Sequence, residues 1–176
     1  MRGVVIHAAK DLRLEEREIE AAGPGEVEVA VEAGDICGSD LHYFNHGGFG
    51  AVRLREQMIL GHEVAGRIVA LGEGVEGLAI GDRVAVSPSR PCGACDYCLA
   101  GLPNQCLNMR FHGSAMPFPH IQGAFRQRLV AEARWRWHAD PFGFLRPWNE
   151  LPALLGSAPP PTAPSTGTGV VVCLMG

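Results

Sequence analysis

Four thiols fall close together in this chain: Cys92-Gly93-Ala94-Cys95-Asp96-Tyr97-Cys98, then seven residues, then Cys106. Thiolates are strong ligands, and four at this spacing can turn inward on one ion to make a closed tetrahedral site of the structural zinc kind. Gly93, Gly101 and Pro103 supply the tight turns that such a knot needs. Two other readings compete. Four unrelated core cysteines have no reason to keep so regular a spacing. An iron–sulfur cluster also begins with C-x-x-C-x-x-C, but its fourth cysteine comes sooner and has a proline behind it, whereas Leu107 follows here. Zinc is the expected ion.

A second set of donors is more scattered. Cys37 stands in Ile36-Cys37-Gly38-Ser39-Asp40-Leu41-His42-Tyr43, and His62 in Gly61-His62-Glu63-Val64-Ala65-Gly66. A catalytic zinc takes three protein ligands and keeps one position open, and Cys and His are suitable donors. Spacing alone leaves open whether these two meet or are separate core residues.

The elements that must position these residues are strands. Gly3 to Ala8 is an apolar run, and Leu12 and Leu14 alternate with charges. After the Gly23-Pro24-Gly25 turn, Glu26 to Glu32 alternates with period two, placing valines inward and glutamates outward. Val64 to Leu71, Arg83 to Val86 and Ala124 to Val130 read as further strands. Short strands, frequent turns and few helical stretches predict a mainly β fold, a small barrel or sandwich.

A length of 176 residues suits one ordinary domain with a core of its own. Hydrophobic content of 47% and charged content of 19% are those of a soluble globular protein. A net charge of −4 without any basic run argues against nucleic acid or an anionic membrane as partner. The start, MRGVVIHAAKDLRLEE, lacks the apolar core of a secretory signal, and no apolar run is long enough to span a bilayer. Six cysteines without an export signal point to metal-binding or catalytic thiols, and the expected compartment is the cytoplasm.

The run Gly61-His62-Glu63-x-x-Gly66-x5-Gly72-x-x-Val75 resembles the zinc-site signature of the medium-chain zinc alcohol dehydrogenases. The four-cysteine knot is similar to that family's structural zinc lobe, here residues 88–110. Cys37-Gly38-Ser39-Asp40 with His42-Tyr43 resembles the polyol branch, the sorbitol and L-idonate dehydrogenases, as does Phe44-Asn45-His46-Gly47-Gly48-Phe49-Gly50. The resemblance covers residues 1–133 and implies a GroES-like, barrel-type catalytic domain. It implies two zinc ions: a structural one on Cys92, Cys95, Cys98 and Cys106, and a catalytic one on Cys37 and His62 with Glu63 as ligand or neighbour. The reaction implied is oxidation of a secondary alcohol of a polyol or sugar acid, with hydride passing to NAD or NADP. Ser39 would bond the substrate oxygen and His42 would pass the proton outward. Tyr43 and the Phe44 to Gly50 loop would line the polyol pocket. Intact relatives are expected to be oligomers.

Each assignment has a plainer reading. Ser39 can be a turn hydroxyl, His42 and His46 can simply face solvent, Asp40 reads as a helix cap, and Glu63 can belong to an ion pair. His7, His112, His120 and His138 match no functional motif and read as structural or surface residues. A non-catalytic, zinc-stabilised binding or scaffolding module is the alternative function.

From Arg134 onward the text changes. All three tryptophans and seven of the 13 prolines lie in residues 134–176, and no helical period survives. No G-x-G-x-x-G between a strand and a helix is found, so the cofactor-binding residues cannot be named and the Rossmann domain is expected to be absent. Gly167-Thr168-Gly169 stands before the strand-like Val170-Val171-Val172 instead of after it. The tail reads as a shifted frame in a GC-rich coding sequence, which also fits Lys10 being the single lysine, or as a disordered linker. Glu150 and Cys173 are poor third ligands because no packed element holds them. The chain alone is expected to be incomplete and inactive.

Overall fold

The computed structural model describes residues 1–133 and the strand Val171–Cys173. In chain order the strands are β1 (Arg2–Ala8), β2 (Asp11–Glu16), β3 (Glu26–Asp35), β4 (Gly48–Phe49), β5 (Val52–Arg53), β6 (Met58–Ile59), β7 (Glu63–Leu71), β8 (Arg83–Val86), β9 (Ser89–Arg90), β10 (Arg110–Phe111), β11 (Arg128–Glu132) and β12 (Val171–Cys173). Helix α1 (Gly38–His46) follows β3, and the short α2 (Asp96–Leu99) lies in the cysteine-rich lobe. The expected mainly β class is what forms. The strands sort into four hydrogen-bonded sheets, the largest ordered β11-β3-β7-β8 with β12 parallel to β3, and a second ordered β2-β1-β6.

The period-two pattern of β3 explains the large sheet. Val27 and Val29 turn inward and are buried, and they meet Val64 and Ile68 of β7, Val84 and Val86 of β8, and Leu129 of β11. A second core gathers Ile6, Tyr43, Met58, Leu60 and Ala115, and Phe125 packs against both. Burying such side chains contributes roughly 1.5–3 kcal/mol each, which is what makes the register of β3 with β7 hold.

Two local expectations change. The strand foreseen over Ala124 to Val130 begins only at Arg128. The Arg126 N–H donates to the Ala124 carbonyl at 2.7 Å, a tight turn that interrupts the strand. Around it the chain stitches the two sheets together: Phe125 donates to the Leu60 carbonyl at 2.9 Å and accepts from the Val4 N–H at 2.9 Å, and Gln127 donates to the Arg2 carbonyl at 3.1 Å. The glycine-rich loop foreseen over Phe44 to Gly50 is the last turn of α1 followed by the β4–β5 hairpin. Gly47 ends the helix in the left-handed conformation, φ 67°, and its N–H donates to the Tyr43 carbonyl at 2.8 Å. A side chain at Gly48 would put its Cβ 2.1 Å from the Val52 carbonyl oxygen.

Three of the histidines read as structural are tied into this framework. His7 Nε2 pairs with Glu15 at 2.5 Å. His120 accepts from the Arg55 N–H at 2.9 Å and faces the Pro117 carbonyl at 2.9 Å. His112 is buried, its backbone N–H donating to the Pro88 carbonyl at 3.0 Å. His138 lies outside the described residues. No helix among the described residues is long and apolar enough to cross a membrane.

Burial, then the neighbouring Arg90 charge, pushes the His112 imidazole down to about 4. The folded state therefore keeps this ring neutral while the unfolded chain protonates it near its ordinary value of 6.5. Its contribution is complete above pH 6.5 and is lost as pH falls toward 4, a change of about 3 kcal/mol. Urea titrations of His112→Gln should show a flatter loss of stability than the parent over that window; identical slopes would contradict the assignment.

Candidate metal centres

The lobe between β9 and β10 closes as the cysteine spacing predicts. One ligand atom from each of Cys92, Cys95, Cys98 and Cys106 lies within 4.8 Å of the others. Sulfurs around one zinc at about 2.3 Å stand roughly 3.8 Å apart, and Cys95 Sγ is 3.9 Å from Cys106 Sγ. Backbone amides aim at the thiols: Cys92 and Asn108 N–H point to Cys106 Sγ at 3.2 and 3.3 Å, and Ala94 N–H to Cys92 Sγ at 3.5 Å. The Ala94 N–H, followed by that of Cys95, draws the Cys92 thiol down to about 6, while burial and the neighbouring Cys95 thiol push Cys98 up to about 12. The knot is built to hold negative sulfur, yet like charges oppose one another until a cation joins them. The donor set fits zinc.

The second constellation is assembled by tertiary structure. Cys37 is the residue before α1, held in extended conformation at φ −79° and ψ 158°. His62 and Glu63 sit where β7 begins, and β7 pairs with β3 so that Glu63 lies opposite Asp35, two residues from Cys37. One ligand atom each from Cys37, His62 and Glu63 lies within 4.8 Å of the others. His62 is buried, Cys37 half-buried and Glu63 exposed, so the set opens on one side. Soft sulfur, imidazole nitrogen and carboxylate oxygen together suit zinc with a free position.

Asp40 locks this arrangement. The sequence reading gave it a cap's role, and it does accept the Cys37 N–H, through Oδ2 at 3.0 Å. Its other oxygen accepts the Gly61 N–H at 3.2 Å and stands 3.8 Å from His62 Nδ1. One carboxylate, 4% exposed, thus ties together the two loops that carry the ligands. Burial raises its pKa, against the lowering pull of His62 and the two amides. No sequence signal announces this double role. Gly61 has φ +89°, and a Cβ there would lie 2.2 Å from the Phe125 ring. The His62 ring in turn packs against Phe111, centroids 5.3 Å apart.

The remaining site residues are spread along α1. Ser39 is half-buried in its first turn and His42 is exposed one turn on. Tyr43, expected to line the pocket, is 2% exposed; its hydroxyl accepts the Ala115 N–H at 2.9 Å and its ring meets Phe49 edge-on. What Tyr43 touches is the second core. Glu150 lies outside the described residues; Cys173 lies in β12, in register with Asp35. Gly72-Glu73-Gly74-Val75-Glu76-Gly77 spells G-x-G-x-x-G directly after β7. The next element is β8 and not a helix, and Gly72 is needed because a Cβ there would lie 1.8 Å from the Gly23 carbonyl oxygen. These glycines make a turn and do not cradle a pyrophosphate.

The family profile of the alcohol dehydrogenase GroES-like domain matches residues 23–141, and the chain belongs to that family. It is 41% identical to L-idonate 5-dehydrogenase (NAD(P)(+)) of Escherichia coli K12 over 128 residues, covering 73% of this chain and 36% of that protein. It is 39% identical to sorbitol dehydrogenase of Bacillus subtilis 168 over 129 residues, covering 73% and 35%. The crystal structure of L-idonate 5-dehydrogenase from Escherichia coli K-12 superposes with a TM-score of 0.70 at 39% identity, over 75% of this chain and 37% of that one. The chain spans about a third of the length of the relatives it matches. Relatives named L-idonate, sorbitol and L-arabinitol dehydrogenase place the family among the oxidoreductases.

Gly61→Ala should cost about 3 kcal/mol or more, because backbone and Phe125 must both give way. Differential scanning fluorimetry would read this as a large fall in melting temperature; a shift of under a degree would show that the close approach is not real.

Proposed function

We propose that residues 1–133 are the metal-bearing catalytic domain of a zinc-dependent polyol dehydrogenase of the L-idonate 5-dehydrogenase type. The observation that carries this reading is the meeting of Cys37, His62 and Glu63 at the open end of β3 and β7. Those three residues would hold a catalytic zinc, and the four cysteines of the lobe a structural one. A zinc bound there supplies Lewis acidity that lowers the pKa of a substrate hydroxyl. Ser39 hydrogen-bonds the reacting oxygen, and His42, one turn out on α1, receives the proton and releases it to water. Asp40 keeps the two ligand loops in register while this happens. The substrate is a polyol or sugar acid and the hydride acceptor is NAD or NADP, as the name of the E. coli relative suggests. The described residues offer no dinucleotide cradle, and no step at that cofactor is assigned to them. The cytoplasm is the proposed compartment, and intact relatives are expected to be oligomers.

The tail, residues 134–176, is proposed to be a shifted reading frame. Sequencing the DNA around the codons for Glu132 to Trp137 tests this: restoring the frame by one base should reveal an alanine-rich helix, a ligand glutamate and a glycine motif, and an uninterrupted frame with none of these would reject it.

Metal analysis of the purified 176-residue polypeptide should find two zinc ions per chain, one after Cys37→Ser, and no NAD-dependent oxidation of L-idonate or sorbitol. A single tightly held ion that survives Cys37→Ser would instead indicate a stabilised scaffold. Turnover by this polypeptide alone would overturn the claim that the hydride acceptor binds elsewhere. Asp40→Asn should weaken the ion at Cys37, His62 and Glu63 by roughly 10–100-fold while leaving the lobe's ion in place. Cobalt absorption spectra of the two sites would separate these effects, and equal loss at both would refute the local role of Asp40.

A further inference from the structure

His42 and His46 are the exposed histidines among the described residues; His7 is paired with Glu15, and His62, His112 and His120 are buried. They stand four residues apart on α1, the separation that places two side chains on one helix face a turn apart. Their ring centroids are 6.1 Å apart with planes tilted by 38°. Among the described residues no hydrogen bond or ion pair holds either ring, and the Phe49 ring lies 6.2 Å from His42. We propose that His42 and His46 together form a further binding site, separate from the two cysteine-containing centres, for a borderline divalent transition-metal cation such as nickel, copper or zinc.

The chemistry is that of paired imidazoles. Metal–nitrogen bonds of about 2.0–2.1 Å require the two ring nitrogens to approach within roughly 3–4 Å of each other. Exposed side chains change rotamer in picoseconds to nanoseconds, so the rings reach that spacing without moving the backbone. Imidazole prefers zinc, copper and nickel to magnesium or calcium, and no carboxylate of α1 lies on this face, since Asp40 is buried on the other side. Helix α1 is anchored at both ends, by the Asp40 carboxylate and by Gly47, so the pair is displayed on a fixed backbone. The second imidazole then binds at high effective concentration, which gives a chelate where each ring alone binds weakly.

The site has a consequence that rests on the proposed function: a cation there occupies the lone pair through which His42 would receive the substrate's proton. Binding itself does not depend on that reading.

The 176-residue chain carrying two zinc ions and freed of excess zinc, titrated with nickel sulfate in a calorimeter, should bind one further ion. His42→Gln and His46→Gln should each weaken that ion by about 100-fold, to the level of the double variant. Both positions are exposed, so circular dichroism should be unchanged by either substitution. Paramagnetic broadening of both imidazole proton signals at substoichiometric nickel would support a shared ion. Loss on substituting only one of the two, or an ion that survives both substitutions, would overturn the proposal. Nickel taken up by an empty Cys37 cluster is told apart by repeating the titration on Cys37→Ser, which should leave the ion at His42 and His46 in place.

Discussion

A single buried carboxylate carries the organisation of the candidate site. Asp40 has one oxygen on the Cys37 amide and the other on the Gly61 amide, and it stands beside the His62 ring. Burying a charge is costly unless it is paired and hydrogen-bonded, and this one is compensated by groups from two separate loops. Removing either loop's contribution would leave the carboxylate under-satisfied. The two ligand-bearing loops are therefore held to each other by the hydrogen bonds that satisfy this buried carboxyl group.

Around that link the fold supplies rigidity in layers. The antiparallel register of β3 and β7 sets Glu63 opposite Asp35, and the valine face of β3 fixes that register through its core contacts. Phe125 packs against both cores, and its ring fills the space where a side chain at Gly61 would have been. Core packing and site geometry thus meet at one aromatic ring. The cysteine lobe is a separate solution to a different problem. It has short elements and exposed apolar side chains such as Leu99 and Leu107, and four thiols gathered within reach of one ion where a core would otherwise stand.

Much of this was legible beforehand where the signal is local. The four cysteines closed as their spacing implied, because ligands a few residues apart can reach one ion whatever surrounds them. Strands with clean alternation, β3 above all, fell where the pattern placed them. Helix α1 showed itself in the sequence only through Asp40 as a cap: it buries only Asp40 and Tyr43, so no apolar stripe marks it. The strand over Ala124 to Val130 was shifted because its first residues bond to two sheets at once, a demand that no local pattern encodes.

Residue types alone determined which groups could bind metal, which family they resemble, and that β-strands would carry them. Tertiary structure alone decided that Cys37 and His62 meet, that Asp40 faces both loops as well as capping a helix, and that Tyr43 turns into a core. The physical reason is range. Ligand chemistry and strand alternation act over a few bonds, whereas the approach of α1 to the start of β7 is set by strand register and core packing summed along the whole sheet.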